Sequence, residues 1–573
     1  MVLDSKTGEV LTTIDPGHTV RLRIDIGPLS KTSQVQGAKP LPLPKESMEI
    51  DVDVMVSSSD FRVAPGASPR DGVAWSDTAQ ARLRLPQDGG PGVAEDGGNY
   101  LDYYLQAPEK LEHPAHARIN YYYKSVLLQS QKLTLSPPQQ GASDAKPSLK
   151  IVVDYTASDD FSGLEAVPKR PRFSILTNDN DDGRHQIVIR RLDAAGSPSS
   201  RNFTLNSDGI SSIIERLRNT LRDNAPSDKR RSARSFISDL KDLAPIGWEL
   251  YGKLPGQVPM DFYQALITSP QDFVVQISRP DTSGFVLPWA CMYEIPLISD
   301  VTPTICPMVE NWDGNQPLFT GDLRQCPCGP HLENVLCPFG FWGYRYAIEQ
   351  LSSSDKPVLS IPAAPRCDVV IGEAQYDLDI GALDAHVNRL RASLAKMPVD
   401  AQLREGKDKA SIERLLGADL PFIYFYCHGE RLNIKDPNTY LGVGKGEKIT
   451  AQDLIGWTAT WYARLKKLIW NSVRPLVFIN ACHTVAIEPK TLVSYLQAFI
   501  SRGRAAGVIG TEVLVDQSLA MDVAERFVAT WMSGEKTVEQ ALRAVSLDYL
   551  RSGNMLGLVY TPYCWSELKI VNS

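Results

Sequence analysis

A chain of 573 residues is too long for one hydrophobic core, so roughly two to four domains are expected. With 60 basic and 67 acidic residues the formal charge is -7, which argues against a nucleic-acid footprint and supplies no polybasic membrane anchor. No run approaches the roughly 18 apolar residues of a membrane span, and Met1-Val-Leu-Asp-Ser-Lys-Thr7 lacks the apolar core of a signal peptide.

Residues 1–135 read as all-β and sandwich-like. Val20-Arg-Leu-Arg-Ile-Asp-Ile26, Met48-Glu-Ile-Asp-Val-Asp-Val54 and Ala79-Gln-Ala-Arg-Leu-Arg-Leu85 alternate with period two. Gly-, Pro- and Ser-rich turns separate them, such as Asp88-Gly-Gly-Pro-Gly92. The runs 117–123 and 126–135 supply two further strands that could close a sandwich. Ser136–Pro147 has the composition of a linker.

Residues 148–355 mix both periodicities. Lys150–Tyr155, Gln186–Arg190 and Phe273–Ile277 predict strands, and Ile210, Ile213, Ile214, Leu217 and Leu221 mark one face of a helix. From 356 to 573 the pattern becomes a regular strand–helix alternation, the signature of a parallel sheet. Cys367–Gly372 opens it, and a helix follows with Leu383, Val387, Leu390, Leu394 and Met397 on one stripe. Residues 421–427, 476–481 and 505–511 supply later strands. Leu519, Val523, Phe527 and Trp531 recur at four-residue steps before Gly534, and Thr537-Val-Glu-Gln540 is a capping box.

Two of these strands end in reactive groups. Pro421-Phe-Ile-Tyr-Phe-Tyr-Cys-His428-Gly429-Glu430 and Pro475-Leu-Val-Phe-Ile-Asn-Ala-Cys482-His483-Thr484 both read as short buried strands. In an open α/β sheet, ligands bind at the carboxyl ends of the strands. A sulfur and an imidazole delivered there suit nucleophilic attack on a carbonyl. Gly429 lets backbone approach a substrate and can offer its N–H to an oxyanion. The bland alternatives are a hydrogen-bonded structural histidine and an inert buried thiol. His483, next to the nucleophile, reads as structural.

The segments Tyr426-Cys-His-Gly429 and Asn480-Ala-Cys-His-Thr484 resemble the histidine and cysteine motifs of CHAT-type, caspase-like cysteine proteases of the separase and caspase clan. Tyr440-Leu-Gly-Val-Gly444 with Lys448–Leu454, Gly510–Asp516 and Pro562-Tyr-Cys-Trp565 resemble later segments of that family. Leu287-Pro-Trp-Ala290 and Phe339-Gly-Phe-Trp-Gly343 resemble its non-catalytic, pseudo-protease-like half. The likeness runs from about 250 to about 570. It implies a caspase-like α/β domain over 356–573, preceded by an α/β non-catalytic half over 148–355.

The resemblance also implies peptide-bond hydrolysis through a thioester on Cys482, with His428 as acid/base. The backbone N–H groups of Gly429 and Cys482 would form the oxyanion hole. Asp516, and less directly Glu430, would line a pocket for a basic residue, although Asp516 equally suits a helix cap. Catalysis needs no cofactor. The implied setting is a regulated effector protease of bacterial defence with a protein substrate, such as a gasdermin-like one, and an activating or regulatory partner. A catalytically silent caspase-fold binding module is the alternative. No phosphate loop or serine nucleophile elbow supports a doubly wound hydrolase or nucleotide binder.

The nine cysteines are odd in number and several sit in apolar runs, which points to a reduced, cytoplasmic protein. Cys306, Cys326, Cys328 and Cys337, with His331 nearby, crowd a loop-like stretch and could hold a structural zinc. The spacing Cys326-Pro-Cys328 is tighter than a zinc knuckle, which leaves isolated reduced thiols as the other reading.

Overall fold

A computed structural model of the chain describes residues 1–26, 33–36, 50–66, 74–85, 93–94, 97–138, 146–158, 164–168, 170, 172–179, 184–192, 198–223, 230–254, 273–280, 286–363, 366–373, 380–397, 400–431, 439–466, 468–481, 494–511 and 515–572. These residues group into two units whose segments interleave along the chain. The first comprises Met1–Ser207, Gln276–Ser283 and Leu351–Pro357; the second comprises Asp208–Val275, Gly284–Gln350 and Val358–Ser573.

The first unit is built of strands, as the period-two runs predict. Val2–Asp4, Thr19–Ile24, Leu101–Gln106 and Arg62–Pro65 form an antiparallel four-stranded sheet. A seven-stranded sheet has Val126–Ser136, Ala115–Tyr123, Ile50–Ser58 and Thr78–Leu85 as its antiparallel centre. Thr19–Ile24 alternates between buried and half-exposed positions, whereas Ala115–Tyr123 is buried throughout. A strand with neighbours on both sides and both faces covered loses the alternation that marks it in sequence. The Tyr103 hydroxyl of the smaller sheet donates to the Val54 carbonyl of the larger at 2.8 Å. Ser148–Thr156 pairs with Val126–Ser136 in that larger sheet, and 139–145 of the linker segment lie outside the described residues.

The second unit carries the strand–helix alternation. In chain order its elements are β1 (Arg366–Glu373), α1 (Ile380–Leu394), β2 (Asp400–Gly406), α2 (Lys409–Leu416), β3 (Phe422–Arg431), β4 (Thr439–Val443), β5 (Glu447–Ile449), α3 (Ala451–Leu465), β6 (Leu476–Ala481), β7 (Gly507–Thr511), α4 (Gln517–Trp531), α5 (Val538–Arg551) and β8 (Tyr560–Tyr563). The strand order is β2-β1-β3-β6-β7-β8. All neighbours are parallel except β7 and β8. Helices begin at caps legible in the sequence: Thr537 and Gln540 exchange hydrogen bonds at the start of α5. No described helix is long and apolar enough to cross a membrane.

Helical segments cover both faces of this sheet, which is why its strands read as apolar runs. On one face, Phe422 packs against Phe527 and Trp531 of α4, and Phe478 meets Phe527 at 5.6 Å and Tyr560 at 5.7 Å. On the other, Phe425 packs against Phe499 of the wide helical turn Gln497–Arg502, which stacks on Trp470. Upstream in this unit, the two Trp-containing motifs meet, with the Trp289 and Trp342 rings stacked at 6.3 Å. Gly340 lets the Tyr293 ring pack closely on the second motif, since a Cβ there would lie 2.4 Å from that ring.

Phe478 is fully buried at the centre of the sheet. Phe478→Ala is expected to destabilise this unit by about 3–5 kcal/mol. In urea denaturation the midpoint should fall with little change in the denaturant dependence.

Candidate active site

Strands β3 and β6 run parallel and in register from Phe422↔Leu476 to Cys427↔Ala481. That last pair lies immediately before His428 on one strand and before Cys482 in the sequence of the other. At His428 the strand changes partner: His428↔Gly442, Gly429↔Leu441 and Glu430↔Tyr440 are antiparallel pairs with β4. The structure therefore sets His428, Gly429 and Glu430 on the segment of β3 that leaves the main sheet at its carboxyl edge. Cys482, His483 and Thr484 lie outside the described residues.

A buried polar chain fastens the two strands just below this edge. Asn480 Nδ2 donates to the Tyr424 hydroxyl at 3.0 Å and to the Ala520 carbonyl at 2.7 Å. The Tyr560 hydroxyl donates to Asn480 Oδ1 at 3.1 Å. Tyr424 lies 3.3 Å from His386 Nε2, and His386 Nδ1 lies 2.7 Å from Glu525 Oε1. An ionised carboxylate only accepts, so Nδ1 donates to Glu525. Arg389 Nε donates to both Glu525 oxygens at 2.8 Å.

Burial raises the Glu525 pKa, but hydrogen bonds from His386 and Arg389 outweigh it and hold the carboxyl below its ordinary value. The sequence reading did not single out His386. Its signal was a histidine three residues after Leu383, on the apolar stripe of α1.

Asp516 is the N-cap of α4. Its Oδ1 accepts from the Ser518 N–H at 2.9 Å and from the Ser518 hydroxyl at 2.6 Å. The capping role weighed for this residue is thus observed, and both of these bonds end on a single carboxylate oxygen.

Residues 341–573 match the family profile described as the CHAT domain. This region is a CHAT domain. A curated relative, a probable protease of Vitiosangium sp., is 27% identical over 489 residues, covering 79% of this chain and 61% of its own length. The chain thus spans about 61% of that relative. Among solved structures, Saccharomyces cerevisiae separase in its securin complex overlaps with a TM-score of 0.37 at 8% identity. That overlap covers 70% of this chain and 30% of separase. The Arg-specific cysteine proteinase gingipain R gives a TM-score of 0.29 at 10% identity, over 63% of this chain and 75% of its own.

The cysteine-rich loop precedes the CHAT domain. Cys306, Cys326, His331 and Cys337 converge, with one sulfur or nitrogen of each within 4.8 Å of the others. Cys328 is exposed and is not part of the group. Hydrogen bonding from Cys326 and Cys337 pushes the Cys306 thiol far below its ordinary range. The same bond pushes Cys326 up to about 12, and burial pushes Cys337 up.

A carboxylate whose folded pKa is depressed adds stability above its unfolded value and loses it as the pH falls through the folded value. For Glu525 that loss begins below about 4.5, the ordinary value. Glu525→Gln should lower CHAT-domain stability at neutral pH, most of the deficit disappearing in acid. Urea denaturation of both proteins across that range checks this. Parallel pH curves would mean that the carboxylate charge contributes nothing.

Proposed function

We propose that the chain is a cysteine endopeptidase acting on a protein substrate, with Cys482 as nucleophile and His428 as acid/base. The observation that carries this reading is the β3–β6 register, whose last pair stands one residue before each of the two groups. The Cys482 sulfur, its proton taken by imidazole, attacks the scissile carbonyl carbon. Collapse of the tetrahedral intermediate breaks the C–N bond, and the imidazolium protonates the leaving amine. Water then hydrolyses the thioester, giving a carboxylic acid and restoring the thiol. The N–H groups of Gly429 and Cys482 stabilise the oxyanion in both steps.

The family match over 341–573 and the curated relative named as a probable protease support this chemistry. In the same reading Asp516 turns its remaining carboxylate oxygen toward a basic residue before the cut, with Glu430 at the edge of the same cleft. The resemblance extends the proposal to a regulated effector of bacterial defence, with a gasdermin-like protein as substrate and an activating partner. The β-rich unit would serve recruitment or regulation.

An electrophilic peptide probe should label the wild-type protein and leave Cys482→Ala unlabelled. His428→Ala should lower turnover by on the order of 10³ or more. Proteome fragments that appear with active enzyme and vanish with Cys482→Ala would identify the substrate. Equal labelling of both proteins, or none under any activating condition, favours the silent binding module.

Asp516→Asn isolates the pocket role, because asparagine caps a helix as well as aspartate but carries no charge. Cleavage of a peptide library by this variant should lose preference for Arg or Lys before the cut, while thermal stability stays within about 0.5 kcal/mol of wild type. Unchanged preference would leave Asp516 a cap alone.

A further inference from the structure

The loop between Cys306 and Cys337 is almost without regular structure, yet it brings a defined set of donors together. Thr304–Ile305 and Val335–Leu336 form a two-residue parallel ladder, and Cys306 and Cys337 are the residues that leave it side by side. Their backbones are pinned. The Cys306 N–H donates to the Leu336 carbonyl at 3.0 Å, and the Cys337 N–H donates to the Tyr293 hydroxyl at 2.9 Å. Tyr293 in turn donates to the Val335 carbonyl at 2.6 Å.

The other two donors come from one tight turn. The Gly329 N–H donates to the Cys326 carbonyl at 3.0 Å, with Gly329 at φ +97. Pro327 follows Cys326 in that turn, where its ring presets the required φ. Cys328 occupies the next corner and faces solvent, while the chain beyond Gly329 returns His331 to Cys326. The tight spacing that argued against a knuckle with Cys328 is thus what makes His331 the partner.

We propose that Cys306, Cys326, His331 and Cys337 bind one zinc ion tetrahedrally, and that this ion fixes the loop against α5. Three sulfurs and one imidazole nitrogen form an established zinc donor set, and four protein ligands with no open position mark a structural site. The Cys306 and Cys326 sulfurs stand 3.3 Å apart. A disulfide needs about 2.05 Å, whereas two thiolates on one zinc at about 2.3 Å each stand about 3.8 Å apart. His331 Nε2 is buried, and one ring nitrogen of His331 lies within 4.8 Å of the three converging sulfurs, as a zinc-ligating imidazole requires. A cavity of about 40 Å³ lined by Cys326, His331, Cys337 and Phe339 adjoins the group.

On its outer side the loop is already tied to α5. Arg543 donates to Asp322 at 2.8 Å, Arg324 to Glu539 at 2.7 Å, and Arg551 to the Gly321 carbonyl at 2.7 Å. Trp312 packs on Phe236 and Phe319 on Phe339, and the ion adds a tie between the ends of the loop and the turn that carries Cys326 and His331.

The test reads metal and not proteolysis, so it stands or falls apart from the protease proposal. Full-length protein from zinc-supplemented cells, analysed by mass spectrometry for metals, should hold one zinc per chain. Cys337→Ser and His331→Ala should lose most of it, and Cys328→Ser should keep it. Cobalt exchanged into the wild-type protein should give the intense visible bands of a tetrahedral site and a thiolate-to-cobalt charge-transfer band in the near ultraviolet. That spectrum decides the matter even if the variants fail to fold. Wild-type protein without stoichiometric metal would overturn the proposal. So would a Cys306–Cys326 disulfide in the non-reduced protein, or a Cys328→Ser variant as depleted as Cys337→Ser.

Discussion

The in-register pairing of β3 with β6 is the constraint on which the rest of the CHAT domain depends. Because side chains alternate across a sheet, a slip of one residue would exchange the two faces of a strand. Phe478 would then leave Phe527 and Tyr560, and Asn480 would leave Tyr424. It would also change which residue of β6 stands in register with Cys427. Apolar packing alone tolerates such shifts better than a hydrogen-bonded amide does, since an unsatisfied buried amide costs about 1–3 kcal/mol. Asn480 is therefore well suited to act as a register lock, bonded to Tyr424, Tyr560 and the start of α4 in an otherwise apolar layer.

The same unit places charged groups inside its core repeatedly, and each described one is held by neighbours. Glu294 is fully buried and is paired with Arg345 and with the Tyr346 hydroxyl; burial raises its pKa. Glu349 accepts from the backbone and hydroxyl of Ser566, just after the closing Pro562–Trp565 motif. Such pairs add little net stability, but removing one partner is costly. Each one adds a directional requirement, at the Trp-containing motifs and at the last strand, that apolar contact does not impose.

Legibility in the sequence followed periodicity and failed where geometry was made by turns or buried pairs. β6 occupies 476–481 as read, and the cap at Thr537 was visible because both phenomena are local. Helix Ala233–Lys253 carries Pro245 in its interior, which reads as a breaker; burial of Phe236, Leu240, Leu243, Leu250 and Tyr251 outweighs that cost. Segments 276–283 and 351–357 join the first unit across long stretches of the second; the polar run Ser352-Ser-Ser-Asp-Lys-Pro357 marks a boundary but does not say which unit the segment joins. At the site, the strand ends were evident, but His386 and Glu525 are 139 residues apart and meet only through the packing of α1 on α4.

The cysteine-rich loop shows most plainly why residue type and spacing are separate kinds of information. Donor chemistry is written in the sequence, and three of the four converging groups could be named from it. Which fourth group joins them is set by the backbone path after Pro327, where a single turn exposes Cys328 and returns His331. Cysteine counting treats every thiol within a span as equivalent, whereas a turn with its carbonyl and N–H already paired admits only one arrangement. The carboxyl edge of the CHAT-domain sheet obeys the same logic with strands in place of a turn. There the ladder alone determines which two residues come next, so a one-dimensional pattern of apolar runs suffices to find them.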